Sequence, residues 1–342
     1  PLNASISLLS IFFKLHMKEL LLTKKIIKWY DLNKRILPWR KNVSLQKRQY
    51  YTLVSEFMLQ QTQVITVIPY FNRFIKDIPS LKILAKTQNK KLIKIWEGLG
   101  YYSRVRNLKK TAQVIIKNFK GKLPDNFEDL LSLPGIGSYT ASAILAIVFN
   151  KPYIPLDGNI ERLLKRYLYL RKGKEIQKVN LIKKKSIFGI SSRSNDYAQA
   201  LMELGALICK PKNPLCNQCP ISKNCKSYKK RDFNLVKNIK KNVDKYYLLK
   251  VYKKKQRYLL IKNTKFNFLK NLTIFPMEEL HKPKNFNKNL NFKMSNMNMN
   301  IKIKYVKYSR KFQSTCWVDE KKLDNYMLPS FTKKIVQYLE RN

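Results

Sequence analysis

Residues 127–149 read FEDLLSLPGIGSYTASAILAIVF, and this stretch decides the fold. Its first residues suit a short helix, the Pro-Gly-Ile-Gly run suits a tight turn, and the small and apolar residues that follow suit a second helix. Gly135 and Gly137 let the backbone come close to a phosphate, which the N–H groups at the start of the second helix can bind. The stretch therefore predicts a helix–hairpin–helix, which would hold DNA without reading its sequence.

Outward from the hairpin, residues 17–225 carry apolar side chains at helical spacing, with turn signals such as Ile68-Pro69 between segments. The last glycine is Gly205, and beyond it short β-rich runs precede a helical pattern over residues 331–339. We expect a mainly α domain followed by a smaller α+β domain. The predicted parts are an extension outside the fold (1–16), the helical domain (17–228), a basic linker (229–245) and the second domain (246–342).

Two details of this organisation depend on local composition. The chain begins with Pro1, and Met17 directly precedes an amphipathic helical pattern, so we interpret residues 1–16 as lying outside the folded unit. Residues 285–300 form a low-complexity tract of Asn, Lys and Met, which we expect to be partly mobile. The predicted strands of the second domain are Tyr246–Tyr252, Tyr258–Ile261 and Ile301–Val306.

Composition narrows the classes of function. Lysine and arginine outnumber aspartate and glutamate by 70 to 21, a net charge of +49 that would attract nucleic acid. Of these cations 56 are lysines, so an A/T-rich genome is an alternative explanation and charge alone decides little. With only two histidines, His-based triads and multi-His metal sites are disfavoured. No apolar run is long enough to span a membrane and no signal peptide is evident, so we expect a cytoplasmic protein.

Four of the five cysteines form one cluster, Cys209-x6-Cys216-x2-Cys219-x5-Cys225. Disulfides are disfavoured in a cytosolic protein, and four thiolates this close in sequence can close one metal site. Zinc sites usually use paired short C-x2-4-C elements, and only one such spacing occurs here. The spacing favours a [4Fe–4S] cluster over zinc, with four free buried thiols as the remaining alternative.

Two acidic residues have the surroundings needed for acid–base chemistry. Glu56 lies in a largely apolar helical segment, and Asp157 lies just before a predicted helix. Burial raises the pKa of a glutamate and keeps it protonated near neutral pH, whereas an aspartate in a polar setting stays anionic. Cleavage of an N-glycosidic bond needs such a pair. Each residue also has a structural interpretation, which for Asp157 is a helix N-cap.

Several motifs occur together in one order. They are Leu37-Pro38-Trp39-Arg40, residues 56–64 (EFMLQQTQV), residues 96–108 (WEGLGYYSRVRNL), the hairpin, residues 156–159 (LDGN), residues 200–206 (ALMELGA) and the cysteine spacing. From Trp29 to Cys225 the chain thereby resembles the adenine DNA glycosylases of the MutY kind, within the endonuclease III superfamily. The resemblance implies a helix–hairpin–helix glycosylase domain with a [4Fe–4S] loop over residues 209–225, followed by a Nudix-like domain.

The resemblance also implies catalytic roles. Glu56 resembles the general acid that protonates adenine at N7. Asp157 is similar to the carboxylate that stabilises, or transiently bonds, the oxocarbenium-like sugar, and Tyr139 and Asn159 look like its helpers. Relatives that also cut the strand carry a lysine in the hairpin, where this chain has Ser138-Tyr139. We therefore expect a monofunctional glycosylase that leaves an abasic site.

Four further residues resemble positions that contact DNA. Arg40 and Gln199 match the lining of the adenine pocket. Gln61 and Tyr101 match residues wedged into the duplex when the adenine is flipped out, a step that is needed because a stacked base is inaccessible to both carboxylates.

In the second domain the resemblance is thin. Leu272–Pro276 resembles the family's Leu-Trp-x-Phe-Pro element, and Trp317 with Leu328-Pro329 resembles its closing segment. The Phe-Ser-His loop that touches 8-oxoguanine in the family falls at Met294-Ser295-Asn296, where only Ser295 matches. We expect a degenerate Nudix-like domain that hydrolyses no nucleotide, and the altered loop weakens the expectation of tight 8-oxoguanine discrimination.

The preferred interpretation is a monomeric base-excision-repair enzyme that removes adenine opposite 8-oxoguanine or guanine in double-stranded DNA. One alternative is a bifunctional pyrimidine glycosylase of the endonuclease III kind, which Tyr139 and the LDGN motif argue against. The other is a catalytically decayed DNA-binding protein, which the retained Glu56, Asp157 and four cysteines argue against.

Overall fold

The computed structural model describes residues 21–170, 191–234, 242–282, 285–294, 296–307, 315–326 and 328–341. The chain divides into two compact units. One is drawn from the chain before Gln88 and between Arg106 and Lys237, and the other from Gln88–Val105 and the chain from Asn238 onward. The predicted extension (1–16) and the centre of the predicted linker (235–241) lie outside the described residues. The predicted domain boundaries stay a prediction.

Helices build the part of the chain that the sequence predicts to be helical. In chain order the described helices are α1 (residues 21–33), α2 (Leu45–Leu59), α3 (Val64–Asp77), α4 (Leu81–Lys86), α5 (Asn89–Ile95), α6 (Ser103–Asn118), α7 (Phe127–Ser132), α8 (Ser138–Ile147), α9 (Gly158–Leu168), α10 (Ser194–Glu203), α11 (Lys226–Lys229) and, near the chain end, α12 (Ser330–Arg341). A 3-10 turn over Pro38–Arg40 precedes α2, and a π-helical turn over Leu204–Ile208 extends α10 toward the first cysteine of the cluster.

Helix α3 continues through Pro69, where the sequence predicts a break, so that expectation is wrong. Proline removes one backbone donor and costs about 3 kcal/mol inside a helix. Val67, Phe71 and Phe74 of the same helix are at most 2% exposed. Their burial stabilises the folded chain by roughly 1.5–3 kcal/mol each, so the packing of α3 outweighs the cost of its proline.

The predicted helix–hairpin–helix is present as α7, a turn and α8. Helix α7 begins with the Asn126 side chain accepting a hydrogen bond from the Asp129 N–H at 2.9 Å. In the turn, the Thr111 hydroxyl donates to the Pro134 carbonyl at 2.7 Å. Gly135 has a φ of +80°, a left-handed conformation that side chains with a Cβ disfavour. The hairpin is therefore fixed by its own cap and by a contact to α6.

The second unit contains two four-stranded sheets. The strands are β1 (Val243–Val251), β2 (Lys253–Lys254), β3 (Arg257–Lys262), β4 (Thr273–Ile274), β5 (Met277–Leu280), β6 (Leu290–Met294), β7 (Met297–Tyr305) and β8 (Thr315–Asp319). One sheet has the order β5-β1-β7-β6, with β1 and β7 parallel and the other pairs antiparallel. In the other, β3 pairs with β2, β4 and β8. Helix α12 packs on their shared core through Phe331, Ile335 and Val336, which confirms the smaller α+β part.

The tract over residues 285–300 contains regular structure that its composition did not predict, because β6 and the first part of β7 lie within it. Its partial mobility stays a prediction. Met299 and Ile301 are fully buried in the sheet core. Between them Asn300 is buried as well, and its side-chain oxygen accepts from the Asn291 amide at 3.2 Å. The Asn-Met alternation is therefore a strand pattern with period two, in which methionines fill the core.

The hairpin turn generates a stability prediction. A Cβ at Gly135 would lie 2.8 Å from Asn107 Cβ and 3.0 Å from Phe57 Cε1, and the residue would keep a left-handed backbone. Gly135→Ala should therefore lower the free energy of unfolding by about 1–3 kcal/mol in chemical denaturation. Gly137→Ala is the matched control, because its Cβ would meet no atom within 4 Å and its φ is −98°. Equal losses in the two variants would contradict this account of the turn.

Candidate active site

A cavity of about 1340 Å³ in the first unit brings together most of the predicted site residues. Its lining comes from the 3-10 turn, α2, the start of α8, the start of α9 and α10. The predicted residues that line it are Glu56, Tyr139, Asp157, Asn159, Arg40, Gln61 and Gln199. Residues more than 140 positions apart thus meet in one place. Their individual roles stay predictions.

Glu56 lies near the end of α2 and is 4% exposed. The helix around it is apolar, with Leu53, Phe57 and Met58 buried on either side. Burial is the main cause that raises the pKa of Glu56 to about 7, and the nearby Asp157 charge raises the pKa further, while a hydrogen bond with Tyr139 acts in the opposite direction. Its Oε2 atom has no hydrogen-bond partner. Glu56 is therefore a carboxyl group that holds its proton close to neutral pH.

Tyr139 is placed beside this carboxyl by the hairpin, because it lies in the first turn of α8. Its side chain hydrogen-bonds with Glu56, and the charges of Glu56 and Asp157 also act on it. Burial, followed by these charges, raises the pKa of the Tyr139 hydroxyl well above its ordinary value. The phenol therefore stays protonated and remains a hydrogen-bond donor to Glu56.

Asp157 is the N-cap of α9, as its structural interpretation predicts. Its Oδ1 accepts from the Ile160 N–H at 2.7 Å, and its Oδ2 accepts from the Asn159 side-chain amide at 2.9 Å. The cap does not exclude a catalytic role, because the carboxylate also lines the cavity. Hydrogen bonds to both oxygens fix the orientation of this carboxyl group.

Arg162 connects Asn159 to the loop that carries Cys209. The Arg162 guanidinium donates to Asn159 Oδ1 at 2.8 Å, to the Gly205 carbonyl at 2.7 Å and to the Cys209 carbonyl at 2.7 Å. A Cβ at Gly205 would lie 2.7 Å from Asn159 Cβ, so only glycine lets the π-helical turn approach α9 this closely. The start of α9 and the loop that carries Cys209 are thus one connected polar network.

Glu203 lies beside this cavity. It belongs to the ALMELGA motif, but the sequence analysis did not single it out. It is fully buried between two arginines, with Oε1 2.7 Å from Arg40 Nη1 and Oε2 2.7 Å from Arg35 Nε. The ion pairs hold Arg40 at the cavity wall and leave its buried Nε without a partner. Gln199 also lies at the wall, and its amide donates to the Asn195 carbonyl at 3.1 Å. A buried carboxylate needs such partners, which a motif alone does not reveal.

The four clustered cysteines line one small enclosed cavity and are all unpaired thiols. Burial raises the pKa values of Cys216, Cys219 and Cys225, and that of Cys219 reaches about 12. The neighbouring cysteines raise these pKa values further. Arg166 is buried beside them, with Nη1 3.5 Å from Cys209 Sγ. A metal group that supplies positive charge would offset the cost of bringing these thiolates together.

Within the described part of the chain, no group of three or more His, Cys, Asp or Glu side chains is arranged to hold a metal ion. The kind of group that the four cysteines could bind is therefore indicated by their spacing in the sequence and by the cavity that they share.

A family model described as HhH-GPD superfamily base excision DNA repair protein matches residues 54–186. The match runs from the second half of α2 through α9, and so includes Glu56, the hairpin and Asp157. The fold and this match place the chain among the helix–hairpin–helix base-excision repair proteins.

The curated relatives narrow this class. Adenine DNA glycosylase of Buchnera aphidicola subsp. Schizaphis graminum (strain Sg) is 38% identical over 259 residues, 73% of this chain and 73% of the relative. That of Buchnera aphidicola subsp. Baizongia pistaciae (strain Bp) is 42% identical over 214 residues, 62% of this chain and 60% of the relative. The human protein of the same name is 38% identical over 213 residues, 59% of this chain and 38% of the relative. The chain belongs to the adenine DNA glycosylase family, which confirms the resemblance.

Solved structures agree on the fold. A thermostable thymine-DNA glycosylase superposes with a TM-score of 0.55 at 26% identity, over 63% of this chain and 98% of that one. A trapped endonuclease III–DNA covalent intermediate gives a TM-score of 0.51 at 21% identity, over 61% of this chain and 94% of that one. Both confirm the predicted fold class. Among the described residues, no helix is long and apolar enough to cross a membrane.

The raised pKa of Glu56 predicts a pH-dependent change in stability. Between its ordinary value of 4.5 and about 7, the unfolded chain loses the proton that the folded chain keeps, so the free energy of unfolding falls as pH rises. Glu56→Gln has no such charge, and its stability relative to the parent should therefore increase between pH 4 and 8, by on the order of 3 kcal/mol. Chemical denaturation at the two pH values measures this difference.

Glu161→Gln is the control for that measurement. The Glu161 carboxylate is 40% exposed and pairs with Lys165 at 2.6 Å, so its removal should not produce a rise of this kind. If Glu56→Gln and the parent kept a constant difference from pH 4 to 8, Glu56 would not be the protonated acid described here.

Proposed function

We propose that the chain removes adenine that is mispaired with 8-oxoguanine or guanine in double-stranded DNA and leaves an abasic site. The observation that carries the proposal is the pair of acids in one cavity, where burial raises the pKa of Glu56 to about 7 and Asp157 accepts a hydrogen bond at each oxygen. An N-glycosidic bond breaks when the base is made a better leaving group and the positive charge on the sugar is stabilised. The two acids suit these two tasks. The names of the relatives support adenine as the base.

The first step is extrusion of the adenine into the cavity, since neither acid can reach a stacked nucleotide. Glu56 then donates its proton to adenine N7, and the C–N bond breaks with its electron pair on the base. Asp157 stabilises the oxocarbenium-like sugar by its negative charge or by a transient bond. Tyr139 and Asn159 keep the two carboxyl groups oriented, and water finally adds to the sugar. Arg40 and Gln199 line the wall against which the base is held.

The hairpin supplies Tyr139 and no lysine to this cavity. Lyase chemistry in related enzymes needs a hairpin lysine that forms a Schiff base with the sugar, so we propose that the chain is monofunctional. The hairpin itself would bind a phosphate through the N–H groups at the start of α8, beside Gly135 and the exposed Gly137. The large excess of lysine and arginine would add a salt-sensitive attraction to the DNA backbone.

We further propose that Cys209, Cys216, Cys219 and Cys225 hold a [4Fe–4S] cluster. Their shared cavity, the adjacent Arg166 guanidinium and the cysteine spacing in the sequence support such a group. When bound, the cluster would order the loop and would not take part in base removal. Lys210, Lys212, Lys223 and Lys226 on this loop would then face the DNA backbone as a fixed basic surface. Arg166 would orient the ligand Cys209.

In the second unit, the predicted contact residue Ser295 lies outside the described residues. We propose that this unit is the degenerate Nudix-like part that contacts the base opposite the adenine. Because residues 294–296 retain only the serine of the family's Phe-Ser-His loop, we expect a small preference for 8-oxoguanine over guanine. We propose that the enzyme acts as a monomer in the cytoplasm.

Base release from end-labelled duplexes tests the function. The duplexes carry adenine opposite 8-oxoguanine, adenine opposite guanine, or thymine glycol opposite adenine. Strand breaks should appear only with mispaired adenine and only after hot alkali, because the product is an abasic site. Breaks without alkali, or release of thymine glycol, would favour the bifunctional pyrimidine glycosylase instead. No release from any duplex by cluster-loaded protein would favour a decayed DNA-binding protein.

Two variants assign the acids in the same assay. Glu56→Gln and Asp157→Asn should retain duplex binding and lower the single-turnover rate of adenine release by at least about 100-fold, as expected for loss of acid or electrostatic catalysis. Glu161→Gln should keep the parent rate. A near-normal rate in Asp157→Asn would reduce this residue to a helix cap, and parallel loss of binding in Glu56→Gln would remove its role as an acid.

The cluster is tested by iron content and visible absorption. Cys219→Ser should lose iron and the broad absorption of the cluster, since three thiolates remain for a site that uses four. Cys316→Ser is the matched control, because Cys316 is exposed in β8 and away from the four clustered thiols in sequence. Zinc in place of iron in the parent protein, or unchanged iron in Cys219→Ser, would contradict the assignment.

A further inference from the structure

The turn that carries Tyr101 has an uncommon backbone. Gly98, Gly100 and Tyr101 have φ values of +96°, +71° and +46°, so three of four consecutive residues are left-handed. The two glycines adopt this conformation without steric cost, whereas a tyrosine does not. A side chain in this conformation persists only where its surroundings determine it.

One buried guanidinium holds this turn. Arg104 lies in the first turn of α6 and is 5% exposed. Its Nη2 donates to the Leu99 carbonyl at 3.0 Å and to the Gly100 carbonyl at 3.2 Å, and its backbone N–H donates to the Tyr101 carbonyl at 2.9 Å. The side chain therefore binds the two carbonyl groups that directly precede the left-handed tyrosine.

The same guanidinium contacts two aromatic rings. Its Cζ is 5.5 Å from the centroid of Trp96, which is fully buried, and 5.4 Å from that of Tyr101, which is 45% exposed. Trp96 is fixed in turn, since its indole N–H donates to the Gly100 carbonyl at 3.1 Å. Cation–π contacts at these distances are attractive and depend on orientation. Arg104 thereby connects the exposed tyrosine to a buried, fixed tryptophan.

We infer that Arg104 is a positioning residue for base extrusion, which presets the Tyr101 ring for insertion into the duplex. The inference rests on the wedge role of Tyr101 in the proposed function. Arg104 acts only through Tyr101. It acts by fixing the turn and one face of the ring before DNA binds, so that less ordering remains when the duplex is opened.

Lysine cannot take over the role of Arg104. A lysine at this position would keep the positive charge, but a single ammonium group cannot reproduce the planar guanidinium that donates to two carbonyls and contacts two rings. Burial lowers the pKa of Arg104 to about 10, so the parent side chain is charged at neutral pH, and loss of charge is not what Arg104→Lys tests.

A double-mutant cycle on the full-length protein tests the inference. The probe is a duplex with 2-aminopurine in place of the target adenine opposite 8-oxoguanine, whose fluorescence rises when the base leaves the stack. Tyr101→Ala and Arg104→Lys should each lower the extruded fraction of bound probe, Arg104→Lys by about 3- to 10-fold in the extrusion equilibrium. In the double variant, Arg104→Lys should add less than about 2-fold to the loss caused by Tyr101→Ala.

Lys110→Gln is the matched control, because it removes an exposed cation from the same helix and should leave extrusion unchanged. Arg104→Gln is the second variant, for use if the lysine proves poorly folded, and thermal unfolding of every variant reports the folded fraction. A purely structural role would lower the folded fraction and act equally with or without Tyr101.

The possible outcomes distinguish failure of the wedge role of Tyr101 from failure of the positioning role of Arg104. If Tyr101→Ala extrudes the probe like the parent, the wedge role fails and the inference fails with it. If Tyr101→Ala is defective but the loss from Arg104→Lys is the same in both backgrounds, only the positioning role is overturned. A loss from Arg104→Lys that disappears in the Tyr101→Ala background supports the positioning role.

Discussion

A carboxyl group in the middle of an apolar helix face is costly to ionise, and at Glu56 this cost of burial outweighs the opposing effects of the Tyr139 hydrogen bond and the Arg40 charge. The pKa of Glu56 is therefore raised to about 7, and the carboxyl group keeps its proton close to neutral pH. The Asp157 carboxylate nearby acts in the same direction, since two neighbouring carboxyl groups resist simultaneous ionisation. The surrounding elements serve this arrangement: α2 buries one acid, the start of α8 brings Tyr139 against it, and α9 begins at the other acid.

The start of α9 is where local and distant constraints meet. Asp157 caps the helix, and Asn159 donates to the cap residue. Arg162, one turn later, then connects Asn159 to the Gly205 and Cys209 carbonyls. A residue that begins as an ordinary N-cap is thereby held by groups from more than 40 residues away in the chain. A rigid carboxylate loses less free energy to reorganisation when charge develops on the sugar, which is why capping and catalysis are compatible here.

Sequence reasoning succeeded where one short pattern determines the structure. The Pro-Gly-Ile-Gly turn, the cap at Asp157 and the apolar surroundings of Glu56 are local features, and the structure contains each of them. It was wrong at Pro69, where burial of other side chains of the same helix outweighs a local break. It also did not predict β6 in the 285–300 tract, where low complexity concealed a period of two. Sequence reasoning did not single out Glu203, because only the folded chain shows that Arg35 and Arg40 pair with this carboxylate.

Gln61 and Tyr101 share a backbone conformation that the sequence does not predict. Both are exposed, both are predicted to enter the duplex, and both have left-handed backbones, with φ values of +57° and +46°. Each such conformation costs about 1–3 kcal/mol for a residue with a side chain, and the cost is offset by folding of the surrounding turns. Extrusion of a base costs a few kcal/mol more, so a side chain that still had to be ordered would add to that barrier. Burial of Glu56 and the left-handed backbone of Gln61 and Tyr101 both lower the stability of the folded chain, and packing of its apolar core offsets this loss. In return, less free energy is needed to order these groups when the base is extruded and the glycosidic bond is cleaved.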